Sequence, residues 1–157
     1  MRILGIDFGD SRTGVAVSDP LGWTAQGLET IKGGMDETAA QIVNLIRQYE
    51  AEAIVVGYPL NMDGTAGFRA ERTDIFIESI RNQVGDGKIE IVKWDERLSS
   101  AEAARVLKTS GGRPTSRSVR EKGRLDILSA AIILQSYLDS KSNSNSNRNT
   151  NNNSSKI

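Results

Sequence analysis

The chain has 157 residues, of which 38% are hydrophobic and 5% aromatic, and its 20 acidic and 20 basic residues give a net charge of zero. This length suits one domain with an aliphatic core and is too short for two large ones. Cysteine and histidine are both absent. The composition therefore excludes disulfide scaffolds, catalysis by a histidine-activated serine or cysteine, and zinc sites made of histidine and cysteine.

The N-terminal segment MRILGIDFGD lacks the long apolar run of a signal peptide or of a membrane span. We therefore expect a cytoplasmic protein with no membrane partner. Charge is distributed unevenly, with a net of −7 over residues 1–104 and +4 over residues 105–139. A basic segment follows residue 104, and its candidate nucleic-acid-binding residues are Lys108, Arg113, Arg117, Arg120, Lys122 and Arg124. The same charges would also suit a solvated loop.

The first part of the chain predicts three strands and then a helix. Short runs of apolar and β-branched residues predict strands over residues 2–7, 13–18 and 24–31. Asp36 is a good helix N-cap, and apolar residues recur after it at helical spacing. Because three adjacent strands can pair without crossovers, we expect these strands to be antiparallel.

The second part alternates strands with helices. A buried strand is predicted over residues 53–59, a helix over 70–83 and a fifth strand over 88–95. Capping-box patterns at Ser99 and Ser118 predict two more helices, the last ending near Asp139. Helix-separated strands need crossovers, so the pattern predicts an α/β fold with a mixed five-stranded sheet and helices on both faces. We expect one domain over residues 1–139 and a disordered Ser/Asn-rich tail over 140–157.

Acidic residues stand at three notable places. Asp7 closes the first strand, Asp95 and Glu96 close the fifth, and Asp126 opens an apolar helical run. Functional groups gather beyond the carboxyl ends of strands in such sheets. A helix crossing that edge would bring Asp126 there, with Gly123 one turn earlier permitting close approach.

Each acid also has an ordinary structural interpretation. Asp7 would suit an Asx-turn, Asp95 and Glu96 would suit solvated strand ends beside Arg97, and Asp126 would suit an ion pair with Lys122. If the carboxylates do converge, their mutual repulsion demands a cation, and carboxylate oxygens favour Mg²⁺ or Mn²⁺. Two such ions about 4 Å apart can support hydrolysis of a phosphodiester without histidine.

Four segments together resemble one known family. GIDFGDSRTGVAVSD, VVGYPLNMDG, WDERLSSAEA and GRLDILSAAIILQSYLD look like the four sequence blocks of the YqgF/RuvX family, in the same order, and the resemblance covers residues 1–139. It implies a ribonuclease H-like fold. It also implies a nuclease that processes the 5′ end of the 16S ribosomal RNA precursor or, in an older proposal, resolves Holliday junctions.

The family pattern also implies roles for individual residues. Asp7, Asp95 and Asp126 match its catalytic, metal-binding carboxylates, and Glu96 is an additional candidate. Arg12 would contact substrate phosphate, and Asn61 would orient a loop or touch the nucleic-acid backbone. The fourth strand ends in GYP, where many related nucleases carry another acid. The site is therefore expected to lack one ligand, with weak activity as the consequence.

Four functions follow as hypotheses. The first is a nuclease that uses Mg²⁺ or Mn²⁺ on structured RNA, gripping the phosphates through the basic segment. The second cuts branched DNA, which requires a homodimer rather than a monomer. The third is an ATP-dependent phosphotransferase, which would need two such domains. The fourth is a non-catalytic module that binds RNA or ribosomal particles.

Overall fold

The computed structural model describes residues 1–99 and 116–152, and in the second segment it describes side chains from residue 120 to residue 146. Five strands are present, and they are β1 (Arg2–Asp7), β2 (Arg12–Ser18), β3 (Ala25–Lys32), β4 (Ala51–Tyr58) and β5 (Glu90–Asp95). The helices are α1 (Met35–Gln48), α2 (Phe68–Val84) and α3 (Ser116–Asn152). A short 3₁₀ turn, Glu96–Leu98, follows β5 directly.

The five strands form one mixed sheet in the order β3-β2-β1-β4-β5. The pairs β1–β2 and β2–β3 are antiparallel, whereas β1–β4 and β4–β5 are parallel. Strands β1, β2 and β4 are largely buried, as expected for strands covered on both faces. The predicted α/β fold, with a mixed five-stranded sheet, is confirmed.

Two apolar layers cover the sheet, one on each face. On the first face, α1 and α2 bury Ile42, Phe76 and Ile80 against Leu4 and Ile6 of β1. On the opposite face, α3 packs a second set of apolar side chains, which includes Ala130, Ile133, Leu134 and Tyr137. Because side chains alternate along a strand, residues 5 and 7 of β1 face α3 while residues 4 and 6 face the other helices.

Helix α3 lies unusually close to the sheet because glycines stand beneath it. A Cβ at Gly14 would overlap the backbone carbonyl oxygen of Asp126, and a Cβ at Gly5 would lie 2.6 Å from the Cβ of Leu134. By contrast, a Cβ at Gly123 would meet only the Thr30 hydroxyl oxygen at 3.8 Å, an ordinary contact. The expectation that Gly123 permits the close approach is therefore wrong, since the sheet supplies the glycines.

Helix boundaries differ from the prediction in two places. Helix α1 is capped by Gly34, and Asp36 lies in its first turn, where its carboxylate accepts a hydrogen bond from the Ser79 hydroxyl at 2.8 Å. Helix α3 begins at Ser116, so Ser118 is inside the helix rather than its N-cap. The capping box at Ser99 falls largely outside the described residues.

Helix α3 is described as far as Asn152. In its last part, the hydroxyls of Ser140 and Ser144 donate to backbone carbonyls one turn earlier. The last buried apolar residue among the described side chains is Leu138, next to the predicted boundary at Asp139. The domain boundary and the disordered tail stay predictions.

None of the helices described in residues 1–99 and 116–152 is long and apolar enough to cross a membrane.

The glycine contacts lead to a prediction about stability. The substitution Gly14→Ala should lower the free energy of unfolding by about 1–3 kcal/mol, because the added methyl group overpacks a rigid backbone contact. The matched substitution Gly123→Ala should be neutral or stabilising, since alanine is favoured over glycine inside a helix by roughly 0.5–1 kcal/mol. Denaturant unfolding of both variants is the measurement. Equal destabilisation by the two substitutions would show that the helix does not rest on Gly14.

Candidate active site

Asp7 is the last residue of β1 and lies at the carboxyl end of the sheet's central strand. It pairs in register with Gly14 of β2. On its other side β4 continues the register Ile6↔Val56, which places Gly57 beside Asp7. Asp7 is therefore flanked by two glycines, both of which face α3. The absence of side chains at these two positions leaves room for groups from other elements.

Asp126 enters this space from above Gly14. The close contact between the Gly14 Cα and the Asp126 backbone fixes this turn of α3 over the β1–β2 pair. Thr30 of β3 strengthens this packing, because its hydroxyl donates to the Gly123 carbonyl of α3 at 2.8 Å. The Asp126 carboxylate forms an ion pair with Arg12, whose Nε lies 3.1 Å from Oδ2. The ion-pair partner suggested by sequence spacing was Lys122.

Glu96 occupies the space on the other side of Asp7, above Gly57. A Cβ at Gly57 would lie 2.6 Å from the Glu96 Oε1 atom. The first residue of the 3₁₀ turn thus reaches back over the end of β4. The sequence predicts no acid at the end of β4. The structure places a carboxylate at that end of the sheet nevertheless, contributed by the neighbouring strand.

Asp7, Glu96 and Asp126 are 4%, 4% and 5% exposed, and they are the acidic residues that are buried within the described part of the chain. All other described aspartates and glutamates are at least partly exposed. Buried carboxylates are costly unless they are paired or bind a cation. Their common location at one strand edge therefore identifies this edge as the candidate active site.

Asp95 points to a different role. One of its carboxylate oxygens accepts from the Arg97 backbone N–H at 3.0 Å and caps the 3₁₀ turn. The Arg97 guanidinium also lies against both oxygens, at 2.7 Å from Oδ2. These hydrogen bonds from Arg97 hold the pKa of Asp95 below its ordinary value of 3.8. The carboxylate of Asp95 therefore shapes the turn that presents Glu96.

The acids do not form a closed metal-binding group as they stand. Among the described residues, no three acidic side chains lie close enough together to hold one metal ion. Two of the acids have cationic partners, since Asp95 is engaged by Arg97 and Asp126 by Arg12. The role of Asp7, Asp95 and Asp126 as ligands of one or two metal ions stays a prediction.

The predicted nucleic-acid contacts are only partly described. Arg12 lies in the site, and Arg120 and Arg124 are exposed on α3 with Lys122 half-buried between them. Lys108 and Arg113 lie outside the described residues, as does the side chain of Arg117. Asn61 stabilises a loop, because its amide donates to the Thr65 hydroxyl at 3.0 Å and its backbone N–H to the Thr65 carbonyl.

A basic cleft on the other face of the sheet was missed. It lies between the β1–β2 turn and the first turns of α2, has a volume of about 110 Å³ and is lined in part by Arg69, Arg72 and Asp10. The Arg72 Nε lies 2.6 Å from an oxygen of Asp10. The signal in the sequence was the pair of arginines three residues apart at the start of a helix, where i and i+3 side chains share a face.

Comparison with known proteins decides the family. Residues 1–140 match the model of the family described as "RuvX: Holliday junction resolvase". The chain belongs to this family. The predicted resemblance is thereby confirmed, and membership makes the chain an enzyme that hydrolyses phosphodiester bonds.

Curated relatives in this family align with most of the chain. A protein of Ruminiclostridium cellulolyticum named "Putative pre-16S rRNA nuclease" is 48% identical over 141 residues, which cover 88% of this chain and 94% of the relative. A protein of Listeria innocua with the same name is 46% identical over 145 residues, covering 89% and 99%.

Solved structures share the fold. RuvC of T. thermophilus, in complex with a Holliday junction substrate, superposes with a TM-score of 0.56 at 15% identity and covers 90% of this chain and 95% of RuvC. The Fowlpox virus resolvase, in complex with Holliday junction DNA, gives a TM-score of 0.52 at 15% identity and covers 89% and 98%. At these identities the likeness concerns the arrangement of strands and helices.

The Asp95–Arg97 pair predicts a titration result. In the substitution Arg97→Gln, the pKa of Asp95 should rise towards 3.8, because the guanidinium that stabilises the carboxylate is lost. In the unaltered protein the pair contributes stability above the ordinary pKa and loses it as the pH falls through the lowered pKa. Carboxyl NMR titration measures the shift, with Arg81→Gln as the control. An unchanged Asp95 pKa would contradict the assigned pairing.

Proposed function

We propose that this chain is a metal-dependent nuclease whose reaction uses Asp7, Glu96 and Asp126. The observation that carries the proposal is that the buried acids of the described residues all lie at one strand edge, on the face covered by α3. Asp95 was predicted as a ligand with Glu96 as an additional candidate. The geometry favours the opposite ranking, with Asp95 positioning Glu96 from the adjacent turn.

The donor set suits a hard divalent cation. Every candidate ligand atom is a carboxylate oxygen, the donor type that Mg²⁺ and Mn²⁺ prefer, and the chain has no histidine or cysteine to favour a softer metal. One or two such ions, when bound, would activate water and stabilise the leaving oxygen of an in-line phosphodiester displacement. The burial of Glu96 over Gly57 supports its inclusion, because it replaces the acid that β4 lacks.

The chain's own residues supply the remaining requirements. The α3 backbone packs on Gly14 and fixes Asp126 relative to Asp7. The two carboxylates are therefore already positioned before the reaction, which lowers its entropy cost. The apolar layer of α3 keeps water away from the sheet side of the site, which strengthens the local electrostatics. Arg12 is 26% exposed and can reach a phosphate oxygen at the mouth of the site.

The leading substrate is structured RNA, and specifically the 5′ end of the 16S ribosomal RNA precursor in the cytoplasm. The names of the relatives support this choice. Branched DNA is the second candidate, supported by the description of the family. Cleavage of a precursor RNA and of a four-way DNA junction, compared in one assay at equal protein concentration, separates the two. The junction substrate further requires two symmetric cuts and hence a homodimer.

Two neighbouring carboxylates test the assignment of the site. Glu96→Gln should reduce the cleavage rate by more than about 100-fold, whereas Asp95→Asn should fall within the roughly 10–100-fold range of residues that only support a ligand. The two substitutions remove equal charge from adjacent positions, so each is a control for the other. Single-turnover cleavage with Mg²⁺ is the measurement. A larger loss from Asp95→Asn than from Glu96→Gln would restore Asp95 as the ligand.

The basic cleft predicts a path for the nucleic-acid backbone beyond the site. If Arg72 contacts a phosphate, Arg72→Ala should weaken binding of an RNA hairpin and reduce the slope of log K against log salt by about 1. Arg81→Ala is the matched control, since Arg81 lies on the same helix and pairs with Glu78 at 2.9 Å. Fluorescence anisotropy at several salt concentrations gives both slopes. Equal slopes for the two variants would remove the cleft from the path.

A further inference from the structure

The ion pair between Arg12 and Asp126 places a fixed positive charge inside the candidate metal site. Arg12 opens β2 and lies two residues before Gly14, so its side chain is on the sheet face that α3 covers. Its Nε lies 3.1 Å from the Asp126 Oδ2 atom, and the Asp126 side chain is only 7% exposed. The pair is therefore shielded from solvent on the acid's side.

This contact accounts for the incomplete grouping of the acids. The contact is a pairing of charges, and the positive guanidinium beside the Asp126 carboxylate repels a divalent cation nearby. Asp126 is the acid that carries this contact, and its backbone lies over Gly14, the residue paired with Asp7. Arg12 thus gives the Asp126 carboxylate a positive partner in place of a cation.

We propose that Arg12 and a divalent metal ion are alternative partners of the Asp126 carboxylate, and that Arg12 couples metal binding to substrate binding. The inference rests on the proposed function. When the metal binds Asp126, the released guanidinium turns towards the mouth of the site and contacts a phosphate of the nucleic acid. A planar guanidinium suits both partners, because it can form paired hydrogen bonds with a carboxylate or with a phosphate.

Coupling of this kind is reciprocal. If the metal releases Arg12 for the phosphate, then the phosphate must equally favour the metal, and each ligand tightens the other by the same factor. In the absence of nucleic acid, Arg12 lowers the affinity of the site for metal. The enzyme therefore assembles its full metal site chiefly when a phosphate backbone is present, which limits unproductive metal binding.

The test measures the binding of Mn²⁺ to the full chain. The free ion is quantified by electron paramagnetic resonance. Arg12→Ala should bind Mn²⁺ about tenfold more tightly than the unaltered protein, within the range usual for coupled sites. Arg81→Ala removes the same charge far from the site and should leave the Mn²⁺ affinity unchanged. Adding a phosphorothioate RNA hairpin should tighten Mn²⁺ binding in the unaltered protein and much less in Arg12→Ala.

The outcomes separate this inference from the proposed function. In one outcome, Glu96→Gln abolishes Mn²⁺ binding but a folded Arg12→Ala variant binds Mn²⁺ no more tightly than the unaltered protein. This result would contradict the competition between Arg12 and metal for Asp126 and would still support the metal site. If neither the unaltered protein nor Arg12→Ala binds Mn²⁺, with or without RNA, both the proposed function and the competition between Arg12 and metal are wrong.

A measurement on the unaltered protein covers the case in which Arg12→Ala does not fold. The Arg12 Nε–H resonance, assigned by nitrogen-15 NMR, should shift and lose its slow solvent exchange when Mg²⁺ is added, since the guanidinium leaves the shielded carboxylate. If the resonance keeps its position and its slow solvent exchange under saturating Mg²⁺, Arg12 does not leave Asp126 when the metal binds, and the proposal is wrong.

Discussion

The close packing of helix α3 on the sheet is the constraint on which the site depends. Without side chains at Gly5 and Gly14, the helix backbone comes near enough to β1 and β2 to hold Asp126 beside the end of β1. A single methyl group at Gly14 would push that turn outward, because the opposing atom is a backbone carbonyl oxygen. The position of one carboxylate is thus set by the absence of a side chain in another element.

A third glycine explains how the site obtains the acid that β4 lacks. Gly57 leaves open the space into which the Glu96 side chain folds, and Asp95 and Arg97 hold the turn that points it there. Nearly buried acids at one strand edge are expensive for folding and are typical of functional sites. Arg12 offsets part of this cost by pairing with Asp126, and the same pairing makes it a competitor for metal in our proposal.

Much of the fold could be predicted from the sequence, because apolar runs, turn residues and their order determine which strands pair directly and which need crossovers. The candidate site was predictable as a region but not in its details. Adjacent positions such as Asp95 and Glu96 are equivalent in a sequence pattern, and only the geometry of the 3₁₀ turn shows that one caps it while the other is buried. The partner of Asp126 is likewise set by the packing of α3 over β2, which brings Arg12 near it across more than a hundred residues of chain.

The most direct test of the account is the location of a bound metal ion. Crystals of the full chain grown with Mn²⁺ and an RNA hairpin should show an anomalous peak coordinated by carboxylate oxygens of Asp7, Glu96 and Asp126, with the Arg12 guanidinium turned towards phosphate. A peak coordinated by Asp95 in place of Glu96, or by Asp126 with its Arg12 pair intact, would contradict the account.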